Sequence, residues 1–308
     1  MTGVQTCALP ICPLIQNLDD LPLPDRELFS FQELVNEGAL SGIGPEGPKR
    51  VAVLSTGRGC LYSCAYCCNA AYRKLYDVKP RTFVRKRSVN SILAEIEQVI
   101  DTYNPSWLEF WEENFIYDHQ WLKEFSRKYR QRFSLPFSIP ARPNEVLKDE
   151  FKLLSEANCK LVYMGVECGN EQYRHTFMNR HISNDQILHA FRLARENNIA
   201  TLSFNIMGLP FETESNIEET IRINEIIQPD FFGCYIYTPF NETELYDLSK
   251  KEGLLKNEIS PVYYAANTPN VKGLGDKTFK GIWQRIESLQ LKFGELRRQR
   301  YPDLFNLV

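Results

Sequence analysis

Four cysteines fall within GCLYSCAYCC, residues 59–68 of a 308-residue chain that holds nine in all. Cys60, Cys64 and Cys67 are spaced C-x3-C-x2-C, and Cys68 follows directly. Thiolates three or four residues apart on a loop can turn toward one centre. Side chains of adjacent residues diverge, so Cys67 and Cys68 are not expected to share one. Iron–sulfur cubes ordinarily take four thiolates, and a cube held by three leaves one iron open to an exogenous chelator. The competing chemistry is a zinc site completed by Cys68 or a distant histidine. No second C-x2-C pair follows, and His119, His175, His181 and His189 show no paired ligand spacing. Iron is therefore the better fit to this donor set.

The rest of the composition narrows the setting. With 43% hydrophobic and 24% charged residues the chain reads as globular, and a net charge of -3 gives no whole-chain attraction to nucleic acid. No apolar run approaches the roughly 18 residues of a membrane span. The odd cysteine count, gathered at one place, is unlike a secreted disulfide framework, so a cytoplasmic protein with reduced thiols is expected. The opening MTGVQTCALPI, residues 1–11, resembles a translated sequencing adapter, and residues 1–12 are expected to be an artefactual start with no role for Cys7. Residues 13–49 are punctuated by Pro13, Pro22, Pro24, Pro45 and Pro48 and read as an extended linker.

Beyond residue 50 apolar runs and helical periodicity alternate. RVAVLS (50–55), WLEFW (107–111), PFSIP (136–140), KLVYMGV (160–166), ATLSFNIM (200–207) and FFGCYIY (231–237) read as buried strands. Helical patterns at 89–100, 118–133, 146–157, 184–196, 215–227 and 242–251 follow them, with capping boxes expected at Ser183/Gln186 and Ser215/Glu218. Six strand–helix units require a parallel sheet, so an α/β fold, a partial (β/α)6 TIM-like barrel over 50–255, is predicted. Reacting groups in such barrels sit at the C-terminal strand ends, where the cysteine loop also lies. Residues 256–308 read as a loop and a helical extension in which Ile282, Ile286, Leu289 and Phe293 form a packing stripe.

The C-x3-C-x2-C loop, with Tyr66 before its last cysteine, resembles the radical S-adenosylmethionine (SAM) superfamily. WEENF, ARP, GVECGNE, NRHIS and MGLPFET extend the likeness through residues 50–255 and are similar to its cobalamin-associated branch. IQNLDDLPLPDRELF (15–29) resembles the connector that follows a cobalamin-binding domain there, implying that such a domain is missing upstream and could bring cobalamin. No D-x-H-x-x-G cobalamin motif occurs in the chain. The resemblance implies a 4Fe–4S cluster on Cys60, Cys64 and Cys67, with SAM chelating the open iron. Reductive cleavage of SAM to a 5'-deoxyadenosyl radical is the chemistry it implies, in a methyltransferase or oxidoreductase acting on an unactivated carbon.

Residue by residue, the same likeness assigns Glu112 and Glu113 to the methionine ammonium, although the family more often has Asp-Asp there. Glu167, between glycines 165 and 169, is assigned to the ribose hydroxyls or the ammonium, and Arg180 to the methionine carboxylate. Arg142 and Asn205 are further strand-end candidates, and Ile206, Met207 and Gly208 offer backbone to the adenine edge. Pro210 and Glu212 complete a turn like the family's G-L-P-G-E with Phe211 in place of glycine, and Cys168 reads as an inert buried thiol. The basic run RKLYDVKPRTFVRKR (73–87) reads as solvated surface, with docking of a reductase such as flavodoxin or ferredoxin as the functional alternative. A small-molecule, lipid or natural-product substrate is expected. A non-catalytic zinc or electron-transfer protein is the competing class.

Overall fold

Parallel strands buried on both faces should be rich in apolar residues, and β-forming runs such as VAVL (51–54) and FFGCYI (231–236) are. The computed structural model describes residues 13–38, 41, 47–147, 149–256 and 270–302. The expected artefactual segment 1–12 and the loop reading at 261–269 lie outside the described residues.

In chain order the elements are α1 (Phe31–Glu37), β1 (Val51–Leu54), β2 (Gly57–Arg58), α2 (Cys68–Leu75), α3 (Pro80–Phe83), β3 (Arg85–Lys86), α4 (Val89–Tyr103) and β4 (Trp107–Phe110). Then come α5 (His119–Arg132), β5 (Phe137–Ala141), α6 (Glu150–Glu156), β6 (Cys159–Glu167), α7 (Glu171–Thr176), α8 (Asn184–Glu196) and β7 (Ala200–Met207). α9 (Glu214–Ile227), β8 (Phe231–Ile236), α10 (Glu244–Lys251) and α11 (Asp276–Arg300) complete the chain. β1, β4, β5, β6, β7 and β8 pair in that order, every pair parallel, and curl into a half-barrel. This is the predicted (β/α)6 architecture. Among the described residues no helix is long and apolar enough to cross a membrane.

Strand alternation divides the core. Ala52, Leu54, Leu108, Phe110, Ile139, Val162 and Met164 pack beneath the helices. Val51, Trp107, Leu161, Tyr163, Leu202 and Phe231 form a separate cluster, as residues on the other face of each strand must. α11 buries Ile282, Ile286 and Phe293, with Leu289 nearly so, against Met207, Ile217, Phe232 and Ile236, which is the packing stripe read from its spacing.

Three readings are corrected. The linker contains a regular helix, α1, because Phe31 and Val35 lie one turn apart and join the main core, with Phe31 edge-on to Tyr103 at 4.9 Å. The capping box of α9 is formed by Thr213 and Asn216, not Ser215 and Glu218, and Glu218 instead pairs with Arg285 of α11. The box at Ser183 and Gln186 is present as read. The third correction concerns the basic run. Arg85 and Lys86 form β3, antiparallel to β2, Lys86 is enclosed, and Arg87 pairs with Glu95.

Candidate active site

β1 delivers the chain to the strand-end face, where β2 and β3 pin the start of the cysteine loop. Gly59 has φ +84°, and a Cβ there would lie 2.4 Å from the Phe83 carbonyl oxygen, so the turn into Cys60 needs glycine. Cys64 is buried, Cys60 and Cys67 half-buried, and Cys68 exposed on the first turn of α2. The Cys67 amide donates to the Cys64 carbonyl at 3.0 Å, closing a tight turn between them. Adjacent Cys67 and Cys68 thus differ in burial. Burial pushes the Cys60 thiol up, and the Cys67 thiol up to about 11, so both are protonated at neutral pH until a metal displaces the proton. Among the described residues no three Cys, His, Asp or Glu side chains meet around one point suited to a single ion. A cube needs no common point, because each thiolate meets a different iron.

The segment after α7 grips this loop. Ala65 N–H donates to the Met178 carbonyl at 2.9 Å, and Asn179 Nδ2 donates to the Ser63 carbonyl at 2.9 Å. Arg180, next in sequence, is buried with Nη1 3.9 Å from Cys64 Sγ and Nη2 3.7 Å from Glu167 Oε1. Its Nε is buried and has no hydrogen-bond partner. A fixed cation with an unused donor is suited to an anionic ligand.

Glu167 ends β6 in the left-handed region, φ 67°, at an irregularity in the β6–β7 register. Gly165 makes room for it: a Cβ there would stand 2.1 Å from Glu167 Oε1 and 2.9 Å from Arg180 Nη2. Burial pushes the Glu167 carboxyl up, against the pull of Arg180 and of its hydrogen bond with Tyr66. Tyr66, Glu167, Arg180 and the cysteine loop are therefore one assembly.

The other sequence candidates are placed differently. Glu112 accepts from the Thr56 hydroxyl at 2.6 Å and lies 3.6 Å from Lys86 Nζ, so its carboxylate is already engaged. Lys86 sits 4.1 Å from the ring centroid of Trp121 and 4.8 Å from that of Phe115. Glu113 is exposed and acts electrostatically on Cys60. Asn205 is buried in an amide network, donating to the Gly233 carbonyl at 3.0 Å and accepting from Asn224 at 2.9 Å. Met207 faces α9 and α11 rather than the loop. Gly208, φ 74°, donates its amide to Glu212 Oε2 at 2.7 Å, and Leu209 donates to the same oxygen at 3.3 Å. Burial pushes the Glu212 carboxyl up to about 8, and its Oε1 has no partner. Phe211 reaches φ 61°, a backbone state that glycine takes more easily. Cys168 is buried, and burial lifts its thiol to about 12.

Sequence reading missed a second group. The Tyr62 hydroxyl, inside the cysteine loop, donates to Glu145 Oε1 at 2.6 Å and accepts from Asn144 Nδ2 at 3.1 Å, and Asn114 also donates to Glu145. Burial and the Glu145 carboxylate push the Tyr62 phenol up to about 12. Its position between two candidate ligands was the available signal. Trp111 was read only as strand, yet it is half-exposed with its indole N–H donating to buried Glu109 at 2.5 Å.

Thiol donors on one loop, the Gly165 cradle and the unpartnered Nε of Arg180 together fit an iron–sulfur cluster with an anionic organic cofactor beside it. Comparison with known proteins agrees. Residues 54–223, more than half of the chain, match the family model described as Radical SAM superfamily. An uncharacterized methyltransferase of Pyrococcus horikoshii is 25% identical over 248 residues, covering 80% of this chain and 50% of its own length. An anaerobic magnesium-protoporphyrin IX monomethyl ester cyclase of Rubrivivax gelatinosus is 25% identical, covering 78% of this chain and 40% of its own. Among solved structures, the radical SAM methyltransferase TsrM of Kitasatospora setae, with cobalamin and a [4Fe-4S] cluster bound, superposes with TM-score 0.60 at 14% identity, over 78% of this chain and 51% of TsrM. Coproporphyrinogen III oxidase (HemN) of Escherichia coli gives TM-score 0.54 at 18% identity, over 86% of this chain and 56% of HemN. These last two likenesses concern the fold. The chain spans about half or less of the length of the curated relatives it matches.

Proposed function

This chain belongs to the radical SAM superfamily, and on that premise we propose that Cys60, Cys64 and Cys67 each hold one iron of a 4Fe–4S cluster whose fourth iron takes SAM. Held there, such a cluster would supply the one-electron reducing chemistry that cleaves a carbon–sulfur bond of SAM. Everything else falls to side chains of the chain. Arg180 is positioned to bind the methionine carboxylate through its unpartnered Nε, and Glu167, held by Arg180 and Tyr66, to accept from the ammonium or ribose hydroxyls. Glu113 is the freer of the two glutamates after β4 for the ammonium, since Glu112 is engaged by Thr56 and Lys86. Met207 and Gly208 would meet the adenine through backbone atoms, and Asn205 would act through the network that fixes the end of β7.

The observation that carries this reading is the single assembly of Cys64, Arg180 and Glu167 across two strand ends. Methyl transfer to an unactivated carbon is the favoured reaction, supported by the names of the P. horikoshii and Streptomyces wedmorensis relatives, the latter a cytidylyl-2-hydroxyethylphosphonate methyltransferase 23% identical over 282 residues. Use of cobalamin, carried by an upstream domain, is supported by the connector's resemblance and by the TsrM likeness. An acidic flavodoxin or ferredoxin is the proposed reductant, with exposed Lys74, Lys79 and Arg81 beside the loop as its docking charges.

Oxygen-free reconstitution with iron and sulfide tests the reading. Addition of dithionite and SAM should release 5'-deoxyadenosine or methylated product, and electron paramagnetic resonance should show a cluster signal that SAM perturbs. Zinc without iron or sulfide, or a cluster spectrum indifferent to SAM, overturns it.

A further inference from the structure

Two arginines face Cys64, and they are held in opposite ways. Arg180 has a carboxylate partner, Glu167, at 3.7 Å. Arg142, just after β5, is buried too, but among the described residues no carboxylate forms a close ion pair with it, and Glu167, held by Arg180, acts on it only through space. Its Nε donates to the neutral amide of Asn144 at 2.9 Å, its Cζ lies over the Tyr62 ring 3.6 Å from the centroid, and Nη1 is 3.4 Å from Cys64 Sγ. Tyr62 cannot swing aside freely, because its hydroxyl is tied to Glu145 and Asn144. A buried cation whose carboxylate neighbour, Glu167, is already paired with another arginine gains when a further anion comes to it. The thiolate-bound cluster proposed above is anionic, and Cys64 would bring it to the guanidinium.

Resting on that reading, we infer that Arg142 is a positioning residue that sets the cluster's reduction potential: locked by Tyr62 and Asn144 against Cys64, its fixed positive charge favours the added electron. In a water-poor site a unit charge at this range acts strongly, and hydrogen bonds to cluster sulfur raise the potential in the same sense. Stacking on an aromatic face and a forked donor set make arginine, rather than lysine, suited to being held this rigidly.

The test is a potentiometric titration of the reconstituted full chain, with dithionite giving one electron per cluster and the cluster's paramagnetic signal as readout. Arg142→Met should lower the equilibrium constant for reduction at least tenfold, about 59 mV more negative, with iron content retained. Arg142→Lys, which restores the charge, should recover most of the shift. Tyr62→Leu, which keeps the charge and frees it to move, should give a smaller shift of the same sign. A wild-type midpoint in Arg142→Met overturns the inference, as does an equal displacement in Arg142→Lys, which would trace the shift to shape instead of charge. Should Arg142→Met take up no iron, Arg142→Gln is titrated in its place and read identically. Wild-type protein that assembles no cluster overturns this inference and the functional reading together, whereas an unchanged midpoint in a variant that still cleaves SAM overturns this inference alone.

Discussion

The helix-covered face of the sheet and its strand-end mouth are both buried, but they are built from opposite materials. Beneath α4 and α5, Phe125 stacks on Trp121 at 5.1 Å and meets Phe110, Phe115 and Phe137 edge-on within 5.9 Å. Such ring packing is favourable in itself. At the mouth, buried Arg142 and Arg180 and half-buried Glu167 lie beside Cys64, and Arg180 Nε has no partner. One region is stable as it stands, and the other holds charge that only a ligand can fully satisfy. Sites shaped for a ligand commonly cost stability in this way.

Breaking either region should therefore give different losses. Cys64→Ala should abolish iron and sulfide uptake while leaving the unfolding free energy of the metal-free chain within about 1 kcal/mol of wild type, read by metal analysis and urea titration. Phe125→Ala should do the reverse, costing roughly 3–5 kcal/mol of stability while the folded fraction still takes up iron. Gly165→Ala inserts a Cβ where the Glu167 carboxylate and Arg180 guanidinium meet, and should weaken SAM binding by about 1.5–3 kcal/mol in equilibrium dialysis, with cluster content unchanged.

The smallest effect concerns Glu212. Its folded pKa, about 8, lies above the ordinary 4.5, so the folded state holds the proton more tightly. The associated stability is present below about pH 4.5 and is lost as pH rises toward 8. Glu212→Gln should flatten that fall, so that its stability relative to wild type rises between pH 5 and pH 8, measured by thermal unfolding at both values. Parallel pH curves would remove Glu212 from the charged mouth.

The same contrast explains what could be read from sequence. Strands and helices declared themselves because period and capping act locally: Ser88 caps α4, Ser183 and Gln186 box α8, and β7 spans Ala200–Met207 as its apolar run indicated. The three cysteines were visible because their spacing is itself local. Partnerships across strands were not. Glu112 read as a free acid because nothing in WEENF reveals Lys86, twenty-six residues earlier, whose enclosure by Trp121 and Phe115 is tertiary. Ser215 and Glu218 fit the capping pattern better than Thr213 and Asn216 do, yet the box forms at Thr213 while Glu218 pairs with Arg285, a partner 67 residues away. Asn144 and Glu145 carry no motif, so only their convergence on the Tyr62 hydroxyl, with Arg142 over its ring, identifies the group.

Ala65 to Met178 and Ser63 to Asn179 are ordinary hydrogen bonds in length, yet they staple the cysteine loop to the strap bearing Arg180. If occupation of one side stiffens the other, thermodynamic reciprocity requires the benefit to be equal in both directions. The sequence of loading then changes the route but never the overall affinity of the ternary assembly, and a lesion in the staple would change the coupling by the same factor seen from either site.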